Sequence, residues 1–284
     1  MWQPNSILKR LLYWKIKEQA NVEQKFNLEK ITYGATWHIH ANTTCHKLAL
    51  SLIVLLVCAA ISAFIRLAVK YFSKNNHLLY KRIHFDLLFD RNVRTKFKSQ
   101  RVETMVTILH GVRAALCDYC TRPSVLMLLA TDDSYATSVN LSKRVCLAFL
   151  AAQGSFPDAD GLRKITMKGS KYQALEDYWK FYQGLSKRLA RFKVAIISDY
   201  HRIHPQASSA LCHFADDAFS PYPKTLIFLL ANVGGFFTER EIQTRSVMEM
   251  AESYTSHEMI RFLDSTVVAD LQRTICGRPA FIEP

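Results

Sequence analysis

The chain has 284 residues, of which 49% are hydrophobic, and a formal net charge of +13. This length is enough for one sizeable core with a further segment beside it. The distribution of the charge argues against a DNA-reading domain, because residues 102–284 carry twenty Lys and Arg against nineteen Asp and Glu. The basic excess lies in residues 1–47 and 66–101, and direct nucleic-acid binding is not expected.

An apolar stretch between these two basic regions predicts a membrane anchor. Residues 48–65 read LALSLIVLLVCAAISAFI, without a charge, and the run continues past Arg66 to Val69. About 20 helical residues cross the hydrocarbon layer, and an arginine at its boundary can extend toward the headgroups. A signal peptide would begin nearer the N-terminus and show a cleavage site, and a buried core helix would show a polar stripe.

We therefore predict four segments along the chain. They are a short N-terminal segment (1–47), a transmembrane helix (48–69), a basic juxtamembrane connector (70–101) and a folded domain (102–284). The charge bias across the anchor does not fix its orientation; taken alone, it mildly favours the C-terminal flank on the cytoplasmic side, because that flank is the more basic one.

The folded domain has the pattern of an α/β protein. Apolar residues at helical spacing predict a helix over 102–120. Short apolar runs follow, separated by stretches long enough for a helix, at 124–130, 164–167, 193–198, 224–231 and 279–282. This alternation is typical of a mostly parallel sheet with flanking crossover helices.

The junction after the first strand lacks the features of a phosphate loop. Such a loop needs glycines, so that backbone N–H groups can surround the phosphates, and a lysine to reach the outer ones. Here Asp132 and Asp133 follow the strand, and no glycine occurs between Gly111 and Gly154. Two carboxylates would repel a triphosphate. We expect no nucleotide site, no enzymatic activity of the chain's own, and neither a cofactor nor a metal.

The strand at 193–198 is equally poor in catalytic groups. In a nucleotide-binding domain, a strand of this kind usually ends in two acidic residues that bind a metal ion. Here the strand ends with Ser198 and Asp199, so the second acidic residue is missing. We interpret Asp199 as a solvated loop residue rather than a catalytic one.

A helix close to the C-terminus carries a candidate functional arginine. Thr255 and Glu258 have capping-box spacing, and Gly277 and Pro279 predict the end of the helix. The apolar stripe that should face the sheet consists of Leu263, Val267, Leu271 and Ile275. At 100° per residue, Arg273 lies roughly 140° around the helix from the middle of that stripe. We therefore expect its side chain to project outward near the helix end.

The order of these features resembles the torsin-interacting proteins of the nuclear envelope and endoplasmic reticulum, the activators of torsin ATPases. The resemblance covers about residues 85–284 and includes the glycine-less loop, KVAIISDYHRIHP and the C-terminal LQRTICGRP. It implies a degenerate AAA+-like luminal domain without a phosphate loop and without the small helical lid. Such a domain packs against an ATP-bound torsin and completes its active site with an arginine.

Carried onto this chain, the resemblance makes Arg273 in LQRTI the arginine finger acting in trans, with Arg261 and Arg278 as the next candidates. It implies a single-pass protein of the endoplasmic reticulum membrane and the nuclear envelope, including the inner nuclear membrane. The N-terminal segment is short where vertebrate relatives can have long ones. Lamin or chromatin binding is therefore not carried over.

An oxidising lumen would also give the cysteines and sequons a role. Cys146 and Cys276 are then expected to form a disulfide between the first crossover helix and the arginine helix. Of the two glycosylation sequons, at Asn42 and Asn140, one lies on each side of the anchor, and Asn140 is expected to be the modified one.

Two other functions remain open at the level of the sequence. The first is a membrane tether or adaptor that only binds. The second is a thiol oxidoreductase using CDYC, residues 117–120. In thioredoxin-like sites such a pair opens a helix, whereas here it is expected to close one, which argues against redox catalysis.

Overall fold

The computed structural model describes residues 55–57, 59–66, 79–117, 121, 123–155, 159–215 and 220–284. The chain divides into two compact units, Met1–Ala68 and Val69–Pro284, which are described separately. In the first unit, residues 55–57 and 59–66 are helical. Within the described part of the chain, no helix combines the length and apolar character needed to cross a membrane. Half of the predicted anchor at 48–69 lies outside that part, so the anchor stays a prediction.

The second unit alternates helices with strands. Its helices are 79–89, continuing as the π-helical turn Asp90–Arg94 (α1), Val102–Ala115 (α2), Asp132–Ala152 (α3), Ala159–Ile165 (α4), Tyr178–Phe192 (α5), Pro205–Ser208 (α6), Ala210–Ala215 (α7), Glu239–Thr244 (α8), Val247–Met259 (α9) and Ser265–Ile275 (α10). Its strands are Ser124–Ala130 (β1), Thr166–Lys168 (β2), Val194–Ser198 (β3), Leu226–Asn232 (β4) and Pro279–Ile282 (β5). Short 3-10 turns lie at Gly169–Lys171, Leu175–Asp177 and Tyr200–Arg202.

The five strands form one parallel sheet in the order β2-β3-β4-β1-β5. In its centre, Leu128 pairs with Leu230 on one side and with Ala280 on the other. All seven residues of β1 are buried, as expected for a parallel strand covered by helices on both faces. The predicted α/β fold with a parallel sheet and flanking helices is therefore confirmed.

Alternate residues of the strands supply two separate cores, one on each face of the sheet. Leu126 and Leu128 face the core formed with α1, α2 and α3, whereas Met127 and Leu129 face the core formed with α5, α7, α9 and α10. Gly111 allows α2 to pack directly on β1, because a Cβ there would lie 2.6 Å from a methyl carbon of Leu126. Residues of β1 therefore contribute to both cores.

Several predicted elements differ from the structure at their ends: β3 begins one residue later than predicted, and β4 begins two residues later and ends one residue later. Helix α2 ends at Ala115 rather than continuing to residue 120, because the Cys117 N–H turns back to the Ala114 carbonyl at 3.1 Å. Residues 118–120 lie outside the described part of the chain. Strand β2 starts at Thr166 rather than at 164, because Lys164 and Ile165 still belong to α4.

The predicted helix near the C-terminus is two helices, and its predicted capping box is wrong. Thr255 is buried in the middle of α9, where its hydroxyl donates to the Ala251 carbonyl at 2.8 Å. The real capping box of α9 pairs Ser246 with Glu249. Helix α9 ends where the N–H groups of Phe262 and Leu263 both donate to the Met259 carbonyl, and α10 then begins after Asp264.

The inner face of α10 also differs slightly from the predicted stripe. Val268, Leu271 and Ile275 are buried, whereas Leu263 and Val267 are only partly so. Val268, Leu271 and Ile275 share one face of α10 at i, i+3 and i+7, whereas Leu263 precedes the helix. Arg273 still lies outside the buried stripe.

The two cysteines expected to form a disulfide lie in different cores. Cys146 on α3 belongs to the core on one face of the sheet, and Cys276 after α10 belongs to the core on the other. Both are free thiols, and burial raises the pKa of Cys146 and raises that of Cys276 to about 11. A disulfide requires Cα atoms within about 7 Å, and here a sheet separates them. The structure does not support the expected pairing.

Candidate functional site

The junction between β1 and α3, where a nucleotide-binding domain would carry its phosphate loop, is a single residue. Strand β1 ends at Ala130 and α3 begins at Asp132, so Thr131 alone connects them. Its N–H donates to the Ser134 hydroxyl at 2.9 Å, which holds the first turn of the helix. A backbone loop that wraps a phosphate has no residues from which to form here.

Side chains from two strand ends meet at the N-terminus of α3. An anion would be stabilised at such a helix end, and the carboxylate of Asp132 lies there instead. It accepts a hydrogen bond from Asn232 Nδ2 at 2.5 Å. Asn232 Oδ1 in turn accepts from the Gly234 N–H at 3.0 Å. A Cβ on Gly234 would lie 3.1 Å from the Asp132 nitrogen, so the loop after β4 packs directly on the junction.

A second cluster joins α3 to the end of β3. Asp199 adopts a left-handed conformation with φ of 55°, and its carboxylate accepts a hydrogen bond from the Tyr135 hydroxyl at 3.0 Å. The Asp199 N–H donates back to the same hydroxyl oxygen at 2.5 Å. Burial is the largest of the causes that raise the pKa of Tyr135, so the phenol stays protonated and donates. The interpretation of Asp199 as a solvated loop residue is thus wrong: it is partly buried and hydrogen-bonded.

His201 completes the contacts between neighbouring strand ends. Its Nδ1 accepts a hydrogen bond from the backbone N–H of Asn232 at 3.2 Å, and its ring meets the edge of Tyr135 with centroids 6.1 Å apart. Burial lowers the pKa of the imidazole, which favours the neutral ring that can accept at Nδ1. The two clusters, hereafter the closed junction, share Asn232.

The closed junction satisfies its polar groups internally. Asp132 and Asp199, two of the three carboxylates singled out in the sequence, each have a hydrogen-bond donor from the protein. Neither forms an ion pair with a lysine or arginine in the described residues, although the charge of the exposed Arg202 acts on Tyr135 and His201. The arrangement connects the ends of neighbouring strands.

Arg273 lies on the last turn of α10, with 78% of its side chain exposed. Its guanidinium contacts Asp270, one turn earlier, at 2.8 Å. Three residues join α10 to β5, so Arg273 lies near the N-terminal ends of the strands. The closed junction lies at their C-terminal ends. The exposed guanidinium is therefore accessible to a second molecule, and it does not belong to the closed junction.

The two alternative arginines have different surroundings. Arg278 is partly buried, and its Nη1 donates to the Ser124 hydroxyl at 2.7 Å, which ties it to the start of β1. Arg261 is exposed on the turn between α9 and α10 and lines a cavity of about 420 Å³. Arg261 is accordingly the stronger of the two alternatives as a group that could reach a partner.

The remaining predicted positions fall on ordinary surface or helix ends. Asn140 is exposed on α3, whereas Leu141 and Ser142 of its sequon are buried. Cys117 follows the C-terminal end of α2, which is the opposite of the helix N-terminus that activates a redox cysteine. Asn42 lies outside the described residues.

Sequence reasoning missed most of the closed junction. Tyr135, His201, Asn232 and Gly234 were not singled out, although each lies within five residues of the end of a strand. Polar residues shortly after parallel strands meet at one edge of the sheet, and this positional signal could have found them.

Comparison with known proteins identifies no relative: a scan against protein-family models and a search of curated proteins both return no match.

Proposed function

We propose that this chain is a membrane-anchored, catalytically inert activator of a torsin-type AAA+ ATPase. It binds the ATP-bound ATPase in the lumen of the endoplasmic reticulum or nuclear envelope. There it donates Arg273 in trans and stimulates hydrolysis. The chain itself is not an enzyme in this proposal.

The observation that carries the proposal is the combination of a closed junction and an exposed arginine. Thr131 alone connects β1 to α3, so this junction has no backbone loop to surround phosphates, as expected of an AAA+-like domain that depends on a partner for hydrolysis. Among the described residues, Arg273 forms one ion pair, which is exposed. Such pairs are worth about 0–1 kcal/mol, so the guanidinium can exchange Asp270 for phosphate oxygens at little cost.

The sheet supports the AAA+-like part of the proposal. Strand β4 lies between β1 and β3 in an all-parallel sheet, the arrangement expected of an AAA+-like large subdomain. This strand order agrees with the resemblance to torsin-interacting proteins.

The topology in this proposal has residues 1–47 in the cytoplasm or nucleoplasm, a single span at 48–69 and the α/β domain in the lumen. Asn140 is then the accessible sequon. The apolar run at 48–65 supports the anchor, and the resemblance supplies its orientation.

The test uses the full chain in a mild detergent and a hydrolysis-deficient luminal AAA+ ATPase of the torsin class. The complex should form with ATP and dissociate with ADP, and the active ATPase should turn over faster when the full chain is added. Binding without stimulation would favour the alternative function of a membrane tether. Absence of both would overturn the proposal.

A thiol oxidoreductase is the third function, and Cys117 tests it. Cys117→Ser should leave ATPase stimulation unchanged. An insulin-reduction assay should show no activity of the wild-type chain, and clear reductase activity that Cys117→Ser abolishes would replace the activator proposal.

A further inference from the structure

A basic cleft lies at β2, the last strand of the described sheet, and its lining includes neither Arg273 nor a residue of the closed junction. Its volume is about 550 Å³, within the range of small-ligand sites. Five of its lining residues are cations: Lys143, Arg163, Lys168, Lys171 and Arg188. The other four, Leu162, Thr166, Met167 and Tyr172, carry no carboxylate.

The five cations converge from four separate parts of the chain. Lys143 comes from α3, Arg163 from α4 and Arg188 from α5, while Lys168 and Lys171 lie on β2 and the turn after it. Within the described ranges, none of the five forms an ion pair. Like charges that gather without counter-charges repel one another, and a bound anion would relieve that repulsion.

Arg188 shows that the cleft is more than a row of solvated lysines. It is partly buried, and its Nη1 donates to the Gly184 carbonyl at 2.8 Å while Nη2 lies 3.5 Å from the Thr166 carbonyl. Its Nε is shielded from solvent and has no hydrogen-bond partner among the described residues. Neutral carbonyls orient this guanidinium but leave its charge uncompensated.

Protection of an exposed strand edge does not account for this arrangement. β2 is the last strand of the described sheet, and a lysine on such an edge discourages strand pairing with other chains. Lys168 alone would serve that purpose. Arg188 belongs to a helix and Lys143 to another, so neither contributes to guarding the strand.

We propose that this cleft binds a ligand with two or more phosphate groups. A guanidinium fork matches phosphate oxygens, and each phosphate monoester brings almost two negative charges into a small volume. Several phosphates therefore balance five cations within about 550 Å³ better than single carboxylates do. The source is either a soluble polyphosphorylated compound or the headgroup of a phosphoinositide.

The first measurement is calorimetric titration of the full chain, in a mild detergent, with inorganic tripolyphosphate. Binding should be measurable at low salt and should weaken as salt rises. Arg188→Gln should weaken it at least about tenfold, and Arg188→Lys, which keeps the charge without the fork, should weaken it less. Lys187→Gln is the matched control, because Lys187 is exposed on the same helix and does not line the cleft.

Thermal unfolding of each variant separates loss of binding from loss of the fold, and Lys168→Gln provides a second lining variant on an exposed residue. Titration with inositol hexakisphosphate and flotation with phosphoinositide vesicles then distinguish a soluble ligand from a headgroup. No binding at low salt would overturn the proposal. Equal binding by wild type and folded Arg188→Gln, or preference for a poly-glutamate peptide over tripolyphosphate, would also overturn it.

Discussion

Arg273→Ala is the most informative single change, because it separates binding a partner from activating it. Phosphoryl transfer concentrates negative charge on the oxygens around the transferred group, and an arginine from a neighbouring subunit can neutralise it. In GTPases this effect reaches roughly 10³- to 10⁵-fold, which corresponds to about 4 to 7 kcal/mol of activation free energy. We expect stimulation of the torsin-type ATPase to be lost in the variant.

The effect of the same change on folding should be small. The Arg273 side chain is 78% exposed, belongs to neither core, and forms an ion pair with Asp270 at 2.8 Å. An exposed pair one turn apart contributes a few tenths of a kcal/mol, and a cation in the last turn of a helix contributes a similar amount. The free energy of unfolding should therefore fall by about 0.5 to 1 kcal/mol, with no cavity left behind.

The assay measures phosphate release by a torsin-type ATPase with saturating wild-type or variant chain. Arg273→Lys keeps the positive charge but loses the planar guanidinium that can donate two parallel hydrogen bonds to phosphate oxygens. This variant should retain a small part of the stimulation. Asp270→Asn is the matched control, because it removes the ion pair while leaving the arginine, and it should stimulate like wild type. Capture of the ATP-bound ATPase should survive in all three variants.

One result would refute this reasoning. If folded Arg273→Ala accelerates turnover to near the wild-type rate, Arg273 is not the finger, and Arg261→Ala becomes the next variant to measure. If Asp270→Asn loses stimulation as completely as Arg273→Ala, the ion pair has a structural role in the interface instead.

Four further predictions concern the closed junction and the topology. The full chain alone should hydrolyse no ATP in a phosphate-release assay, and hydrolysis above background would contradict the closed junction. Any binding of ATP should occur through its phosphates in the basic cleft, so Arg188→Gln should abolish that binding. Gly234→Ala should lower the free energy of unfolding in urea by about 1 to 2 kcal/mol, because its Cβ would crowd Asp132 at 3.1–3.2 Å. Gly235→Ala, with no atom within 4 Å of the added Cβ, should change it by less than about 0.5 kcal/mol, and equal losses would disprove the crowding. On expression in cells, Asn140→Gln should remove any glycosidase-sensitive gel shift, whereas a shift that requires Asn42 would invert the proposed topology. Burial lowers the pKa of His201 in the folded state. As the pH falls from about 7, the unfolded state therefore binds a proton before the folded state does. The free energy of unfolding should decrease until the pH has passed the folded-state pKa. His201→Gln should flatten this slope in urea melts, whereas His213→Gln, at an exposed position, should not.

The strands could be predicted closely because their signal is local. Strands β1 and β5 begin and end where the apolar runs at 124–130 and 279–282 do. A parallel strand covered on both faces needs an apolar residue at nearly every position, so its limits appear directly in the sequence. The outward position of Arg273 follows from helical periodicity for the same reason.

Competing local signals account for the errors near the C-terminus. Thr255 and Glu258 have the spacing of a capping box, but Ser246 and Glu249 have it too and precede a helix that buries Met250 and Tyr254. Both helix starts are compatible with the sequence. Packing against the sheet selected the earlier one, and Thr255 became an interior residue of α9.

By itself, the sequence determined the α/β class, the strand positions and the absence of glycines after β1, because each depends on neighbouring residues. Tertiary structure alone decided that Asn232 would reach Asp132, a hundred positions away, and that Cys146 and Cys276 would lie on opposite faces of the sheet. It also decided the meeting of Lys143 and Arg188 in one cleft. These contacts depend on the order of the strands and on which face each helix covers, and no local pattern of residue types encodes either.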